Sequence, residues 1–184
     1  KAIWEPGSKI QRWSQIRQGW PNQPLRLYGA GADSGTFDYF TEAIVGKAKA
    51  IRTDYQPTED DNVTIKGVAG DTYAMGFLGY AYYEENKDKV KAVAIDHGKG
   101  CVLPSRETVL DGTYQPLSRP LFIYVNVKSL DRPEVQAFVD FYLSPAARRA
   151  IRSTGYVELP SEAYRIGQEL VKRRKAGTFF MELP

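Results

Sequence analysis

Cysteine and histidine are nearly absent from this chain of 184 residues, which has one of each. The single cysteine, Cys101, excludes a disulfide within the chain, and we expect it to be a buried structural thiol. The single histidine, His97, lies in a turn-like sequence with no nucleophile partner and no metal-ligand spacing nearby. The sequence therefore predicts no catalytic residue, no metal site and no cofactor.

Long apolar runs and a strong excess of one charge are also absent. No run approaches the roughly 18 apolar residues that a membrane-spanning helix needs. The formal net charge is +3, and the one basic cluster, residues 172–175, closes a predicted helix, where cations complement the helix dipole. We therefore do not expect nucleic acid as a partner. The chain starts at Lys1 without a signal-like apolar region, so we expect that a signal or a longer segment is missing.

The composition is that of a folded protein. Apolar residues make up 42 % of the chain, with 12 Tyr and 8 Phe, which excludes a disordered chain. The length suits one domain, or one and a half small lobes of a larger bilobal protein.

Hydrophobic periodicity predicts a strand followed by a helix early in the chain. An apolar run at residues 25–29 predicts the strand. Phe37, Phe40 and Ile44 follow at i, i+3 and i+7, which is typical of a helix with one buried face. Gly46 is the expected end of that helix.

Further strands and helices are predicted along the rest of the chain. Residues 63–68 suit one or two helical turns, and helices are expected after Pro133 and from Ser161. Residues 90–95 and 121–125 are apolar with little alternation, so both are predicted to be buried parallel strands. Strands that alternate with helices predict an α/β fold.

The turn between the first strand and the first helix is the most informative feature. Ser34, Gly35 and Thr36 place two hydroxyls and a bare backbone where the first N–H groups of the helix lack internal partners and the dipole favours negative charge. A phosphate-sized oxyanion suits this chemistry. Ordinary N-capping accounts for Ser34 and Thr36 equally well. The spacing alone leaves both interpretations open.

Nucleotide binding is disfavoured at this turn. Gly29, Gly31 and Gly35 miss the dinucleotide fingerprint, because its third glycine belongs at position 34, which is Ser. The turn also lacks the Lys-Ser/Thr ending of a P-loop.

Three charged residues are further candidate contacts to an anion. The carboxylate of Asp33 either braces the loop or accepts a hydrogen bond from a protonated oxyanion such as hydrogen phosphate. In the second case it would reject fully ionised sulfate, which has no proton to donate. Asp71 contributes either to the same cleft or to a cap before the apolar stretch 74–81. Arg119 lends positive charge to a cleft or braces a hinge near residues 114–120.

Hydrolysis of phosphate monoesters is disfavoured. The carboxylate clusters at residues 59–61 and 84–85 lie in polar stretches that we interpret as solvated. The sequence contains no nucleophile–base pair and no metal cluster to support such a reaction.

Several spaced motifs resemble the phosphate-binding proteins of bacterial high-affinity phosphate ABC transporters, in particular their cyanobacterial-type branch. The motifs are residues 32–42 (Ala-Asp-Ser-Gly-Thr-Phe-Asp-Tyr-Phe-Thr-Glu), 67–71 (Gly-Val-Ala-Gly-Asp), 76–83 (Gly-Phe-Leu-Gly-Tyr-Ala-Tyr-Tyr) and 114–124 (Tyr-Gln-Pro-Leu-Ser-Arg-Pro-Leu-Phe-Ile-Tyr). The resemblance runs nearly from end to end of the chain.

The resemblance implies a type II periplasmic-binding-protein fold, in which two α/β lobes clamp the ligand. This chain would form a partial bilobal architecture that lacks the N-terminal half of the first lobe. Residues 1–24 would lead into the second lobe, residues 25–117 would form that lobe with the anion loop, and residues 118–184 would be a return strand with helices that pack on the first lobe.

The resemblance also implies a function. Ser34, Gly35 and Thr36 would bind inorganic phosphate, which the protein would deliver to the membrane subunits of an ABC permease from the periplasm or cell envelope. The missing segment of the first lobe or a dimer partner would complete the protein. Many family members carry an Arg just before Ser-Gly-Thr, and residues 29–32 contain none. The alternative is a truncated non-transport relative that acts as an interaction module and binds no phosphate.

Overall fold

The computed structural model describes residues 1–177. The chain divides into two compact units, with the boundary between Ser118 and Arg119. None of the helices within residues 1–177 is both long and apolar enough to cross a membrane.

The first unit is built on a parallel sheet of three short strands. These are β1 (Arg26–Ala30), β2 (Gln56–Thr58) and β3 (Ala74–Phe77), in the order β2-β1-β3. Each strand is followed by a helix: α1 (Gly35–Phe40), α2 (Asp61–Ala69) and α3 (Tyr80–Glu85). Parallel neighbours need such crossover connections, so β1 is the central strand of an α/β layer.

Aromatic side chains form much of the core of this unit. The ring of Trp4 meets those of Phe40 and Phe77 edge-on at centroid distances of 5.4 and 5.2 Å. The rings of Phe40 and Phe77 stack at 3.9 Å. A Cβ at Gly29 would lie 2.3 Å from the ring of Phe77, so only glycine lets β3 place this ring against β1.

The helix after β1 is confirmed with its buried face and its end. Phe37 and Phe40 are buried in α1, which continues as a π-helical turn over Thr41–Val45. Gly46 ends it with a left-handed φ of 94°, a conformation that glycine adopts without the steric cost of a Cβ.

A buried arginine, Arg52, holds the backbone of the N-terminal segment in place. The guanidinium of Arg52 donates to the carbonyls of Ile3 and Ile10 at 2.9 and 2.7 Å. It also pairs with Asp54 at 2.5 Å. The hydrogen bond between the two side chains lowers the pKa of Asp54 and raises that of Arg52.

The prediction of a buried parallel strand at residues 90–95 is wrong. Only Ile95 lies in a strand, the two-residue β4 (Ile95–Asp96), which pairs antiparallel with β5 (Cys101–Val102). The preceding residues alternate with lysines, and Val93 is 57 % exposed, so this hairpin has no apolar layer to bury it. Cys101 is exposed rather than buried. A short helix, α4 (Arg106–Leu110), follows.

The second unit is helical over its described residues. A 3-10 turn (Val127–Asp131) precedes α5 (Pro133–Tyr142), α6 (Pro145–Ser153) and α7 (Ser161–Lys172). Their buried apolar side chains are Leu130, Val139, Ala147 and Tyr164. The predicted helices after Pro133 and from Ser161 are confirmed.

The strand predicted at residues 121–125 is absent from the described structure. Leu121 is 56 % and Tyr124 is 83 % exposed, and no described strand pairs with this segment. An apolar sequence becomes a buried strand only where another strand and a core are available. Residues 178–184 of the predicted segment 118–184 lie outside the described residues.

Candidate anion-binding site

The Ser-Gly-Thr turn lies at the carboxyl edge of the parallel sheet. The loop of residues 31–34 links β1 to α1, and residues 59–60 link β2 to α2. Residues 78–79 link β3 to α3. In open parallel sheets, ligands bind at this edge. The central position of β1 places its loop between the other two.

Ser34 is the N-cap of α1. Its backbone is extended, and its Oγ accepts a hydrogen bond from the N–H of Thr36 at 3.1 Å. The N–H of Ser34 donates to the carbonyl of Gly31 at 3.1 Å, and the carbonyl of Ser34 accepts from the N–H of Asp38 at 3.2 Å. Capping therefore takes place at Ser34, and it fixes the shape of the turn.

Capping leaves hydrogen-bond donors for a ligand. Gly35 is exposed, and its N–H donates to no acceptor within residues 1–177. The hydroxyls of Ser34 and Thr36 flank this N–H and can donate to an oxygen as well. A tetrahedral oxyanion could accept from all three groups.

A carboxylate from the neighbouring strand lies against the turn. Glu59, directly after β2, accepts from the N–H of Asp33 through Oε1 at 3.3 Å. A Cβ at Gly31 would lie 2.0 Å from the same oxygen, so glycine gives this carboxylate its room. Gly31 itself donates to the carbonyl of Thr58 at 2.9 Å.

The sequence predicts a solvated carboxylate cluster at residues 59–61, and Glu59 and Asp60 are indeed exposed, whereas Asp61 is half-buried. The contact of Glu59 with the turn is not predicted. Asp60 caps α2 by accepting from Asn62 at 2.9 Å, and partial burial raises the pKa of Asp61. The missing signal was β2, whose sequence Gln-Pro-Thr is too short and polar to be recognised as a strand.

The charges around the turn are mainly negative. Asp33 is exposed, and no hydrogen bond of its side chain is found within residues 1–177. Tyr55 donates to the carbonyl of Ala30 at 3.1 Å, and burial, followed by the charge of Glu59, raises its pKa. Residues 29–36 contain no cation. Within residues 29–36, the groups that can donate to an anion are therefore backbone N–H groups and hydroxyls.

The three additional candidate residues lie in different places. Asp33 is in the turn itself. Asp71 lies at the opposite, amino edge of the sheet, where its carboxylate pairs with Arg26 at 2.9 Å and accepts from Tyr73 N–H at 2.8 Å. Arg119 is the first residue of the second unit. The structure thus groups Asp33 with the turn and separates Asp71 from it.

A tyrosine of α1 fixes the end of the first unit. The hydroxyl of Tyr39 lies 2.5 Å from the carbonyl of Pro116 and 3.0 Å from that of Ser118. The helix that begins at the candidate site therefore also holds the segment that leads out of the unit.

No group of three or more metal-ligating side chains occurs within residues 1–177. His97 is exposed and lies in the turn between β4 and β5.

Known proteins resemble this chain over nearly its whole length. SphX of Synechocystis is 51 % identical over 183 residues, which cover 98 % of this chain and 54 % of SphX. The phosphate-binding protein PstS of Staphylococcus haemolyticus is 35 % identical over 159 residues, 85 % of this chain and 49 % of that protein. The chain therefore spans about half the length of these curated relatives.

A solved structure supports the same relationship. The crystal structure of a possible phosphate-binding protein from Planctomyces limnophilus is 44 % identical, with a TM-score of 0.80, and the match covers 95 % of this chain and 62 % of that one. These similarities confirm the predicted resemblance and the predicted α/β fold class. Residues 1–146 match the PBP superfamily domain, and the chain belongs to this superfamily.

Proposed function

We propose that this chain is part of a solute-binding protein that captures inorganic phosphate and delivers it to an ABC permease. The observation that carries the proposal is the Ser34-Gly35-Thr36 turn at the carboxyl end of the central strand, with its donors grouped around an exposed backbone N–H. The similarity to PstS, a protein named for phosphate binding, supports the choice of anion.

Ser34, Gly35 and Thr36 are the proposed phosphate ligands. The two hydroxyls and the N–H of Gly35 would each donate to a phosphate oxygen, and such charge-assisted hydrogen bonds are short and strong. Asp33 and Arg119 are further proposed contacts. Asp71 has the least support among the candidates because its carboxylate is engaged with Arg26.

A second part of the protein would complete the site. Bilobal binding proteins enclose the ligand between two lobes, and the curated relatives have about twice the length of this chain. The second unit carries exposed apolar side chains: Leu121 (56 %), Phe122 (42 %), Ile123 (37 %), Tyr124 (83 %) and Phe138 (60 %). We refer to these five residues as the apolar face. Three of the five, Ile123, Tyr124 and Phe138, line a groove of about 480 Å³, together with Val125, Val135 and Val139, among others.

The apolar face is the proposed contact for the remaining part of a phosphate-binding protein. Exposed apolar surface of this extent marks an interaction site in a soluble protein. Residues 121–124 are apolar and exposed, as expected of a strand whose sheet is completed by another segment. The proposed location is the periplasm or cell envelope, where a phosphate carrier meets its permease.

Calorimetric titration tests the proposal. The chain would be titrated with phosphate and with sulfate, first alone and then with the part of Synechocystis SphX that the similarity does not cover. We expect heat of binding with phosphate and not with sulfate once the complementary part is present. If neither preparation gives heat of binding with phosphate, and circular dichroism verifies that the complex is folded, phosphate binding is contradicted.

The apolar face also supports a second candidate function, an interaction module in which the turn serves only as a helix cap. This alternative predicts a stable complex with a partner and no response to any oxyanion. Size-exclusion chromatography in parallel with the titration separates the two, because only the first function needs both association and phosphate binding.

A further inference from the structure

An exposed tryptophan lies beside an arginine at the amino edge of the parallel sheet. The ring of Trp20 packs against that of Trp13 at a centroid distance of 5.5 Å, and the guanidinium of Arg17 lies 5.1 Å from the centre of the Trp20 ring. The indole N–H of Trp13 donates to the carbonyl of Tyr73 at 2.9 Å. Because Tyr73 directly precedes β3, this hydrogen bond places the two rings at the edge where the strands begin.

Hydrogen bonds hold the loop that carries Trp20. The guanidinium of Arg12 donates to the carbonyl of Asn22 at 3.0 Å. The N–H of Trp20 donates to the carbonyl of Arg17 at 3.2 Å. Arg12, Arg17 and Trp20 are all exposed, and we refer to these three residues as the tryptophan–arginine face.

The segment around this face is basic. Residues 6–32 contain no Asp or Glu, and their cations are Lys9, Arg12, Arg17 and Arg26. Arg26 pairs with Asp71 at 2.9 Å, whereas none of the other cations of this segment forms an ion pair within residues 1–177. The face therefore attracts a negatively charged partner.

The amount of apolar surface favours a lipid partner over a protein partner. A stable protein–protein interface needs about 800 Å² on each side, with an apolar core. Among residues 6–32, Trp20 is the one large apolar side chain that is exposed, at 37 %. Cations around a single indole match the headgroup layer of an anionic membrane, where Trp is enriched and each cation strengthens binding by about fivefold.

We propose that the tryptophan–arginine face docks on the anionic lipid headgroups of a membrane surface, with the indole of Trp20 at the level of the headgroups. This inference goes beyond phosphate binding and uses none of the donors of the Ser-Gly-Thr turn. The turn follows the carboxyl end of β1, whereas the face lies at the amino edge. The five residues of β1 separate the two by roughly 13 Å.

Vesicle binding by this chain tests the proposal. The probes are vesicles of equal parts phosphatidylglycerol and phosphatidylcholine, and vesicles of phosphatidylcholine alone, with cosedimentation and tryptophan fluorescence as the readouts. We expect at least about tenfold stronger binding to the anionic vesicles, with a blue shift of the emission and release at high salt. Equal binding to both kinds of vesicle would assign the contact to other exposed apolar surface and would overturn the proposal.

Two charge variants test whether the face itself makes the contact. R12Q/R17Q removes two cations of the face and should weaken binding to the anionic vesicles by at least about tenfold. R149Q/K172Q is the matched control, because it removes two exposed cations of the second unit, and it should change binding by less than about threefold. An equal loss in both variants would assign the effect to net charge and would overturn the proposal. Circular dichroism verifies that each variant is folded.

W20F tests the position of the indole. Trp4 is buried and the indole N–H of Trp13 is already bonded, so Trp20 is the expected source of the blue shift. The shift should disappear in W20F, which keeps an apolar ring at this position, while cosedimentation with the anionic vesicles persists. A shift that persists in W20F would place the lipid contact elsewhere and contradict the proposal.

Soluble polyglutamate is the probe for an acidic protein as the partner. Binding of polyglutamate to the face, without binding of the anionic vesicles, would identify a protein surface as the partner and overturn the proposal. None of these measurements involves phosphate, so their failure leaves the proposed function standing.

Discussion

Single side chains at the Ser-Gly-Thr turn serve the fold and the proposed ligand together. Ser34 shapes the turn by capping α1, and the same hydroxyl is a proposed phosphate donor. A cap hydroxyl accepts from the backbone and still has its own proton to donate. The two interpretations that the spacing left open are therefore compatible, and binding measurements can separate them.

Replacement of Ser34 and Thr36 together by Ala should weaken phosphate binding by roughly 2–5 kcal/mol, because two charge-assisted donors are lost. Loss of the cap should lower the free energy of unfolding by only about 0.5–2 kcal/mol. Titration calorimetry and urea unfolding give the two numbers.

The matched control for this double substitution is Ser105→Ala. Ser105 caps α4 with the same kind of hydrogen bond, from Thr108 N–H at 3.1 Å, but lies outside the turn. It should reduce stability by a similar amount and leave phosphate affinity unchanged. Phosphate affinity that survives in S34A/T36A would refute the assignment of these donors.

The pair of Arg52 and Asp54 gives stability a predictable dependence on pH. The folded protein lowers the pKa of Asp54 through its hydrogen bond with Arg52. The contribution of the pair is therefore fully present above the unfolded pKa of about 3.9 and is lost as the pH falls through the lower, folded value. Because the Asp54 side chain is 54 % exposed, we expect only about 0.2–1 kcal/mol.

Asp54→Asn measures this contribution. In urea unfolding, the variant should be less stable than the unsubstituted chain at neutral pH, and the difference should shrink as the pH is lowered below about 4. A difference that grows on acidification would have the wrong sign for a carboxylate with a lowered pKa.

At the scale of elements, hydrophobic periodicity predicts the helices whose own sequence contains the apolar spacing and the start or stop residues. Phe37, Phe40 and Gly46 specify α1 and its end locally, and the helices of the second unit have a Pro or Ser at their start. The strand β3 is not predicted separately from the apolar stretch 74–81. Its residues pack against α2, and a strand of four residues is too short to show a clear period.

Elements that depend on distant partners could not be predicted. β2 is a strand only because it pairs with β1, where Tyr28 lies opposite Gln56. Nothing in the sequence of β2 itself indicates this pairing. Residues 121–125 have the composition of a buried strand, but the described chain contains no strand beside them. The turn was thus predictable from the sequence, whereas the approach of Glu59 required knowledge of the sheet order.

The end of the first helical segment is a testable element. Gly46→Ala should lower the free energy of unfolding by about 1 kcal/mol, because its φ of 94° is strained for a residue with a Cβ. Gly167→Ala is the control, since Gly167 lies inside α7 without a positive φ and an added Cβ makes only ordinary contacts. That control should be neutral or slightly stabilising in urea unfolding. Equal losses in both variants would show that the left-handed φ is not the cause.

At the scale of the whole molecule, both units leave large apolar side chains on their surface, and five of those in the second unit make up the apolar face. Under the proposed function, the apolar face and the proposed phosphate site would be completed by the same additional part of the protein.

Substitution of the apolar face separates association from folding. Tyr124→Asp combined with Phe138→Asp should weaken binding of the complementary part of SphX by at least about a hundredfold, because two large apolar contacts are replaced by charges. The stability of the isolated chain should change by less than about 0.5 kcal/mol, since both side chains are exposed. Leu110→Asp, at a residue that is 42 % exposed in the first unit, is the matched control and should leave association intact.

Phosphate binding should be lost together with association, because the complementary part would supply the other half of the site. Titration at increasing concentrations of that part should restore it. A variant that no longer associates but still binds phosphate would show that the first unit alone forms the complete site.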